Sequence, residues 1–235
     1  MSKRAIILAG GKGTRLKPYT FSLPKPLVPI VEKPIIEIII QQLVKHGFDH
    51  ITLSVNHMAE IIKAFCDDGS KWGAKIDYSL EDRQLSTMAP LKLIKDLPDV
   101  FLVMNGDVLT DLSYSELYAK HVKNGHIFTI SSYERVHIND YGVLTVNEDN
   151  YLEGFKEKPK SKFEVSMGVY ILNKEVLKYI PDGIAYGFDD LMLKLLKEEQ
   201  KVNVQKHEGY WLDIGRPDDY EKASIDYESI IKYSL

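Results

Sequence analysis

The sequence holds one cysteine, Cys66, in 235 residues, so no internal disulfide can close. An oxidising compartment is not required, and a reducing cytoplasm is the expected location. Long apolar runs are also missing. The N-terminal SKRAIILAGG has too short an apolar stretch for a secretory signal, and nowhere do the roughly 20 apolar residues of a spanning helix follow one another. Even IIEIII (35–40) is broken by Glu37 and soon followed by Gln41 and Gln42, so membrane insertion is not expected. Neither sign of charge dominates. Thirty Lys and Arg against 34 Asp and Glu leave a formal charge of −4, which removes a global basic surface for nucleic acid.

Several familiar chemical signatures are absent as well. His46, His50, His57, His121, His126, His137 and His207 form no zinc-like spacing with Cys66, and no GxSxG elbow is present. Two phosphate loops fail on spacing. A Walker loop needs Gly-Lys-Ser/Thr where this chain has Gly13-Thr14-Arg15, and a GxGxxG fingerprint starting at Gly11 meets Leu16 at its sixth position.

What remains is an ordinary globular composition, 44% apolar and 27% charged, long enough for one substantial core. The apolar run at 5–8 ends in glycines and suits a buried strand. From Pro34, Ile35, Ile38, Ile39 and Leu43 share a helical face that Gly47 ends, leaving IIEIII as either core or interface. Strands are expected at 51–55, 74–79 and 100–104, with helices at 58–65 and 113–123 and a short helical stretch at 88–96. This alternation predicts an α/β protein with a mixed, mostly parallel central sheet flanked by helices. Beyond residue 125 the strand candidates HIFTISS, YGVLTV, YLEGFKE and VSMGVYIL lie close together and predict a small antiparallel extension, followed by helices at 188–199 and 217–228. No linker interrupts the chain near 125. One domain over 1–235 is expected, with a nucleotide-binding half (1–125) and an acceptor-binding half with the C-terminal helices (126–235).

The stretch LAGGKGTRL (8–16) empties the first strand into Gly10, Gly11 and Gly13, whose backbone can turn tightly and present N–H groups to an anion. Residues 1–34 carry Lys3, Arg4, Lys12, Arg15, Lys17, Lys25 and Lys33 against Glu32 alone. Arg15 offers a planar fork to phosphate and Lys25 a mobile charge in a proline-stiffened segment. An idle turn with solvated charges is the competing reading. Asp107 follows FLVMNG at the end of a central strand, where open α/β sheets bind ligands, and either ligates a cation or turns the chain and caps the next helix. Asp213, in GYWLDIGRPDDY, is a second candidate carboxylate; Asp218 or Asp219 is better placed for capping. In FKEKPKSK (155–162), strand alternation would separate Glu157 from Lys158, with a solvated charged surface as the alternative.

Taken in order, LAGGKGTRLKPYT (8–20), PKPLVPI (24–30), NGD (105–107), EKP (157–159) and WLDIGRPDDY (211–220) resemble the sugar-phosphate nucleotidylyltransferase family, nearest its mannose- or heptose-1-phosphate guanylyltransferase-like subgroup. The resemblance implies a Rossmann-like nucleotidyltransferase fold and an Mg²⁺-dependent enzyme, with Mn²⁺ as a substitute ion. Such an enzyme transfers a nucleoside monophosphate from an NTP to a sugar 1-phosphate and releases pyrophosphate. It implies nucleotide contacts from Leu8, Ala9, Gly10, Gly11, Gly13, Thr14, Arg15, Lys25, Glu81, Ser86 and Asp107. Acceptor contacts would come from Gly142, Glu157, Lys158, Ser166 and Asp213, and metal ligation from Asp107 and Asp213. Arg15, Lys25, Asp107, Lys158 and Asp213 would form the catalytic set. No histidine base is needed, because a phosphate dianion is already nucleophilic and catalysis can rest on alignment and charge neutralisation.

Two blocks depart from the family. Where relatives carry a segment like LGTAG, this chain has LSTMA (85–89), so Ser86, Met88 and Ala89 bring larger side chains that are expected to close part of the base pocket or to tilt the base. Ser166 stands where many relatives have asparagine. Cytidylyl or thymidylyl transfer, a phosphorylated non-sugar acceptor, and a non-catalytic nucleotide sensor on the same fold therefore stay open, whereas a nicotinamide reductase lacks its fingerprint. The chain ends soon after Tyr220, so the β-helical tail of longer relatives is not expected. A homodimer is the expected assembly.

Overall fold

The computed structural model describes residues 3–227. In chain order its elements are β1 (Arg4–Leu8), the short pair β2 (Pro29–Ile30) and β3 (Lys33–Pro34), α1 (Ile35–Lys45), β4 (His50–Val55), α2 (Ala59–Cys66), β5 (Lys75–Leu80), β6 (Val100–Asn105) and β7 (Val108–Thr110). Then follow α3 (Tyr114–Asn124), β8 (Phe128–Ile138), β9 (Val143–Val146), β10 (Leu152–Lys156), β11 (Lys160–Asn173), α4 (Phe188–Lys197), β12 (Val202–His207), β13 (Trp211–Asp213) and α5 (Pro217–Asp226).

Seven strands form one sheet in the order β12-β8-β11-β6-β1-β4-β5. The pairs β12/β8, β6/β1, β1/β4 and β4/β5 are parallel, and only β11 runs antiparallel, between β8 and β6. The mixed, mostly parallel sheet expected from the alternation is present. The antiparallel character beyond residue 125 enters this same sheet through β11 and continues outward as a ribbon, where Lys160 faces Ile138 and Ser166 faces Ser132. The hairpin β9–β10 leaves that ribbon as a separate two-stranded sheet.

Helices cover both faces, which is why β1 and β6 read as nearly continuous apolar runs. Along β1, Ala5 and Ile7 enter one core cluster and Ile6 the other; Leu102 and Met104 of β6 join the first, Phe101 and Val103 the second. The five isoleucines of α1 are at most 1% exposed. IIEIII is therefore core, and it offers no surface to the expected homodimer. Ser113 caps α3, its hydroxyl accepting from the Glu116 N–H, and Gly125 ends that helix. Asp107 is thus not needed as a cap.

The structure also differs from the sequence reading in places. The stretch Ala89–Leu93 is a 3-10 turn. β10 stops at Lys156, so Glu157 and Lys158 lie in a bend, with Lys158 at φ +41°, and not on an alternating strand. The expected helix 217–228 is α5, whose last expected residue lies outside the described ones. Among the described residues no helix is long and apolar enough to cross a membrane.

Candidate active site

The site forms where β1 and β6 end and two short strands meet beside them. After β6 the chain turns at Gly106, whose N–H donates to the Leu8 carbonyl (3.0 Å). A Cβ at Gly106 would sit 2.9 Å from that oxygen, so only glycine lets the β6–β7 turn lie against the exit of β1. Asp107 is thereby brought to the glycine loop. β13 pairs antiparallel with β7, placing Asp213 opposite Val108, and the Ile214 N–H donates to the Asp107 carbonyl (3.0 Å). The two aspartates, distant in sequence, are neighbours through this three-residue ladder.

Their electrostatics are those of a cation site. Lys25 forms an ion pair with Asp107 Oδ2. Asp107 Oδ1 is buried with no hydrogen-bond partner among the described residues. Burial, and next the Asp107 charge, push the Asp213 carboxyl above the usual carboxylate range, against the pull of Lys25 and Arg15. A carboxylate with a buried, orphaned oxygen beside a second whose charged form is disfavoured fits a hard divalent cation. Among the described residues no group of three or more His, Cys, Asp or Glu side chains could hold a metal. A metal bound here would complete its shell with water or phosphate oxygens, the usual habit of Mg²⁺.

On one side of the carboxylates lies a cavity of about 620 Å³, bounded by Leu8, Gly10 and Gly11 of the loop, by Glu81 and Ser86 opposite, and by Asn105 and Asp107 beneath. Ala9 is buried, its N–H donating to the Ser54 carbonyl (2.8 Å). Gly13 and Thr14 begin a 3-10 turn (Thr14–Leu16), with Thr14 exposed. Glu81 is buried, which raises its carboxyl. Its Oε1 accepts from Ser54 Oγ (3.0 Å) and its Oε2 from the Leu85 N–H (3.2 Å), so it anchors the following loop.

That loop corrects one expectation. Of the three enlarged residues in LSTMA, only Ser86 lines the cavity, and it does so at φ +67°, a conformation natural to the glycine it replaces. Met88 and Ala89 turn into the core, their N–H groups donating to the Tyr186 carbonyl (2.9 and 3.1 Å). They do not close this cavity.

Across Asn105 a second cavity, of about 330 Å³, is lined by Ser166, Gly168, Trp211, Asp213 and Arg135. Gly168 has φ +75°, and a Cβ there would come within 2.6 Å of Asn105 Nδ2, so glycine is required for Asn105 to stand between the two cavities. Arg15 faces a third cavity, about 450 Å³, that shares Asp213, Trp211 and Arg135 with the second. Gly142 and Glu157 lie together at the root of the β9–β10 hairpin, since a Cβ on Gly142 would be 3.2 Å from Glu157 Oε2. Neither they nor Lys158 line any of these three cavities. The sequence reading missed Asn105, Trp211 and Arg135. The first two lay inside blocks already singled out, NGD and YWLD. Arg135 carried no local signal.

Comparison with known proteins agrees with this architecture. A uridylyltransferase from Synechocystis named for UTP and glucose 1-phosphate is 35% identical over 94% of this chain and 62% of its own length. The mannose-1-phosphate guanylyltransferase catalytic subunit beta of Drosophila pseudoobscura pseudoobscura is 34% identical over 97% of this chain and 63% of its own length. The chain thus spans under two thirds of the curated relatives it matches. The crystal structure of HddC from Yersinia pseudotuberculosis complexed with GMP-PN superposes with a TM-score of 0.72 at 27% identity, covering 96% of this chain and 99% of that one. The family described as Nucleotidyl transferase matches residues 4–230, from the first strand past both aspartates, and the chain belongs to that family.

Proposed function

We propose that this chain transfers a nucleoside monophosphate from an NTP to a sugar 1-phosphate, forming an NDP-sugar and pyrophosphate. One observation carries the proposal: Asp107 and Asp213 stand side by side, with Lys25 paired to Asp107 and an orphaned carboxylate oxygen between a loop-lined cavity and a smaller aromatic one. A hexose 1-phosphate in the smaller cavity and an NTP in the larger would meet at the aspartates. Residues 1–125 would mainly hold the nucleotide and 126–235 mainly the acceptor.

In this reading Asp107 and Asp213 hold a divalent cation, Mg²⁺ in our proposal, which supplies charge neutralisation for the reacting phosphates. Gly10, Gly11, Gly13 and Thr14 lay backbone along the nucleotide, with Leu8, Ala9, Glu81 and Ser86 shaping the base side. Arg15 and Lys25 take the β- and γ-phosphates. An acceptor phosphate oxygen forms a bond to the α-phosphorus as the α–β bridging bond breaks and pyrophosphate leaves. The chain contributes alignment and positive charge, and no general base is required. Ser166 meets the sugar directly, and Gly142, Glu157 and Lys158 reach it only if the hairpin root approaches the cleft.

GTP with mannose or heptose 1-phosphate is the pair we propose first, supported by the guanylyltransferase relative and the GMP-PN complex of HddC. The uridylyltransferase relative makes UTP with glucose 1-phosphate the second. A cytoplasmic setting belongs to the same proposal. The test incubates the protein with Mg²⁺, each NTP in turn and a panel of sugar 1-phosphates, and measures pyrophosphate. Turnover with one pair is expected. NTP binding by calorimetry, without transfer or pyrophosphorolysis across the panel, would assign the fold to nucleotide sensing instead.

A further inference from the structure

The 450 Å³ cavity beside Asp213 carries more positive than negative side chains, four against Asp213 and Asp219. Arg15, Arg135, Arg216 and Lys222 line it. Lys222 is already paired with Asp226 (3.2 Å), and Asp219 Oδ2 accepts from the N–H groups of Gly215 and Arg216 (3.1 and 2.9 Å). Among the described residues, none of the three guanidiniums makes a side-chain hydrogen bond or an ion pair. Three guanidinium forks without a hydrogen-bonded partner border one concavity, and a guanidinium fork matches phosphate oxygens.

Arg135 is the best placed of the three. It sits on β8 opposite Phe163 of β11, where the ribbon leaves the main sheet. Its guanidinium carbon lies 5.7 Å from the Trp211 ring centroid. Trp211 is itself fixed, its Nε1–H donating to the Met167 carbonyl (3.0 Å) and the Tyr133 ring lying 5.3 Å away. A guanidinium over the face of a held indole gains a cation–π contact that biases it toward this cavity. Arg135, Trp211 and Asp213 border both the 330 Å³ and the 450 Å³ cavities. A compact ring in the smaller one would therefore place an anionic substituent under Arg135 and next to Asp213.

We propose that Arg135 binds the phosphate monoester of the acceptor and sets acceptor affinity, a task that the resemblance gave to Lys158. This rests on the transfer reaction proposed above and adds the residue that selects its second substrate. The acceptor's phosphate is favoured over the leaving pyrophosphate because Arg135, unlike Arg15, also borders the ring-sized cavity.

The test is steady-state kinetics in both directions for Arg135→Gln and Arg135→Lys, with circular dichroism to verify folding. For Arg135→Gln the acceptor KM is expected to rise at least tenfold. The KM values for NTP and for pyrophosphate in the reverse reaction should stay within twofold, and Arg135→Lys should fall between. An unchanged acceptor KM overturns the inference, and so does a rise confined to pyrophosphate, which would assign the cavity to the leaving group. If the wild type turns over no pair, the reaction proposal fails separately. Calorimetry with mannose 1-phosphate and with inorganic pyrophosphate then decides: tighter sugar-phosphate binding by wild type than by Arg135→Gln supports the assignment, and equal or absent binding overturns it.

Discussion

A single oxygen, Asp107 Oδ1, carries more chemical information than any other atom of the site, because it is buried and unpartnered while its sister oxygen is held by Lys25. Native chains leave few such groups without a function or an unseen partner. Asp107→Asn and Asp213→Asn are each expected to lower turnover at least tenfold, measured as pyrophosphate release at saturating substrates. Unchanged rates in both would remove the two-carboxylate site. Asp213→Asn has a second expected consequence. Burial and the Asp107 charge both disfavour its carboxylate, so the neutral amide should leave metal-free stability unchanged or higher, as read by urea unfolding. Activity lost without stability lost is the mark of a functional charge. Met88 makes the opposite case. It is wholly buried in the cluster beneath the base-side loop. Met88→Ala should cost about 2–5 kcal/mol of stability while leaving the nucleotide KM within twofold. A large KM change in a stably folded variant would return Met88 to the pocket.

At the level of elements, what the sequence made legible follows from burial on two faces. β1 and β6 are apolar at nearly every position, which marks buried parallel strands without any need for alternation. The α3 helix was legible too, although its N-cap, Ser113, was read as the first helical residue. β7 and β13 were not, since three residues show no period, and it is their ladder that joins the aspartates. The role of Arg135 escaped for a related reason: it depends on the register of β8 with β11, and neither strand announces its length. Glu157 and Lys158 were misread as strand residues because EKP follows an apolar-polar alternation that ends one residue earlier.

Docking of α3 on the sheet supplies an element-scale prediction. His121 is 1% exposed, and its Nδ1 is 2.8 Å from Thr129 Oγ1 on β8. Burial, aided by His126, lowers its pKa from the usual 6.5 to about 4. The folded protein keeps this imidazole neutral while the unfolded chain protonates it. Its contribution to stability is therefore complete above pH 6.5 and is lost as pH falls toward 4. The loss is roughly 3 kcal/mol across that window. Chemical denaturation at stepped pH should show this slope, and His121→Gln should flatten it. An unaltered slope in the variant would place the proton uptake elsewhere.

For the molecule as a whole, the site joins distant parts of the chain: the glycine loop after β1, the turn after β6, and β13, which pairs with β7 outside the main sheet, near the end of the described residues. Three cavities with their borders on these segments meet at two aspartates. A ligand that spans them ties together segments that would otherwise open separately, so binding should register as global stability. With Mg²⁺ and the correct NTP at about 100 times its dissociation constant, the linkage is worth about 2.7 kcal/mol. For a chain of 235 residues that corresponds to a rise in Tm of roughly 5–10 °C. Chelating the metal with EDTA should remove most of the shift, because repulsion between the triphosphate and the paired carboxylates would return. The wrong NTPs should give smaller shifts at equal concentration, so the ranking of melting temperatures across GTP, UTP, CTP, dTTP and ATP reports base preference without turnover. A shift that survives EDTA in full would mean that the triphosphate is held by the glycine loop and the lysines alone, and the aspartates would then have to be assigned to the acceptor.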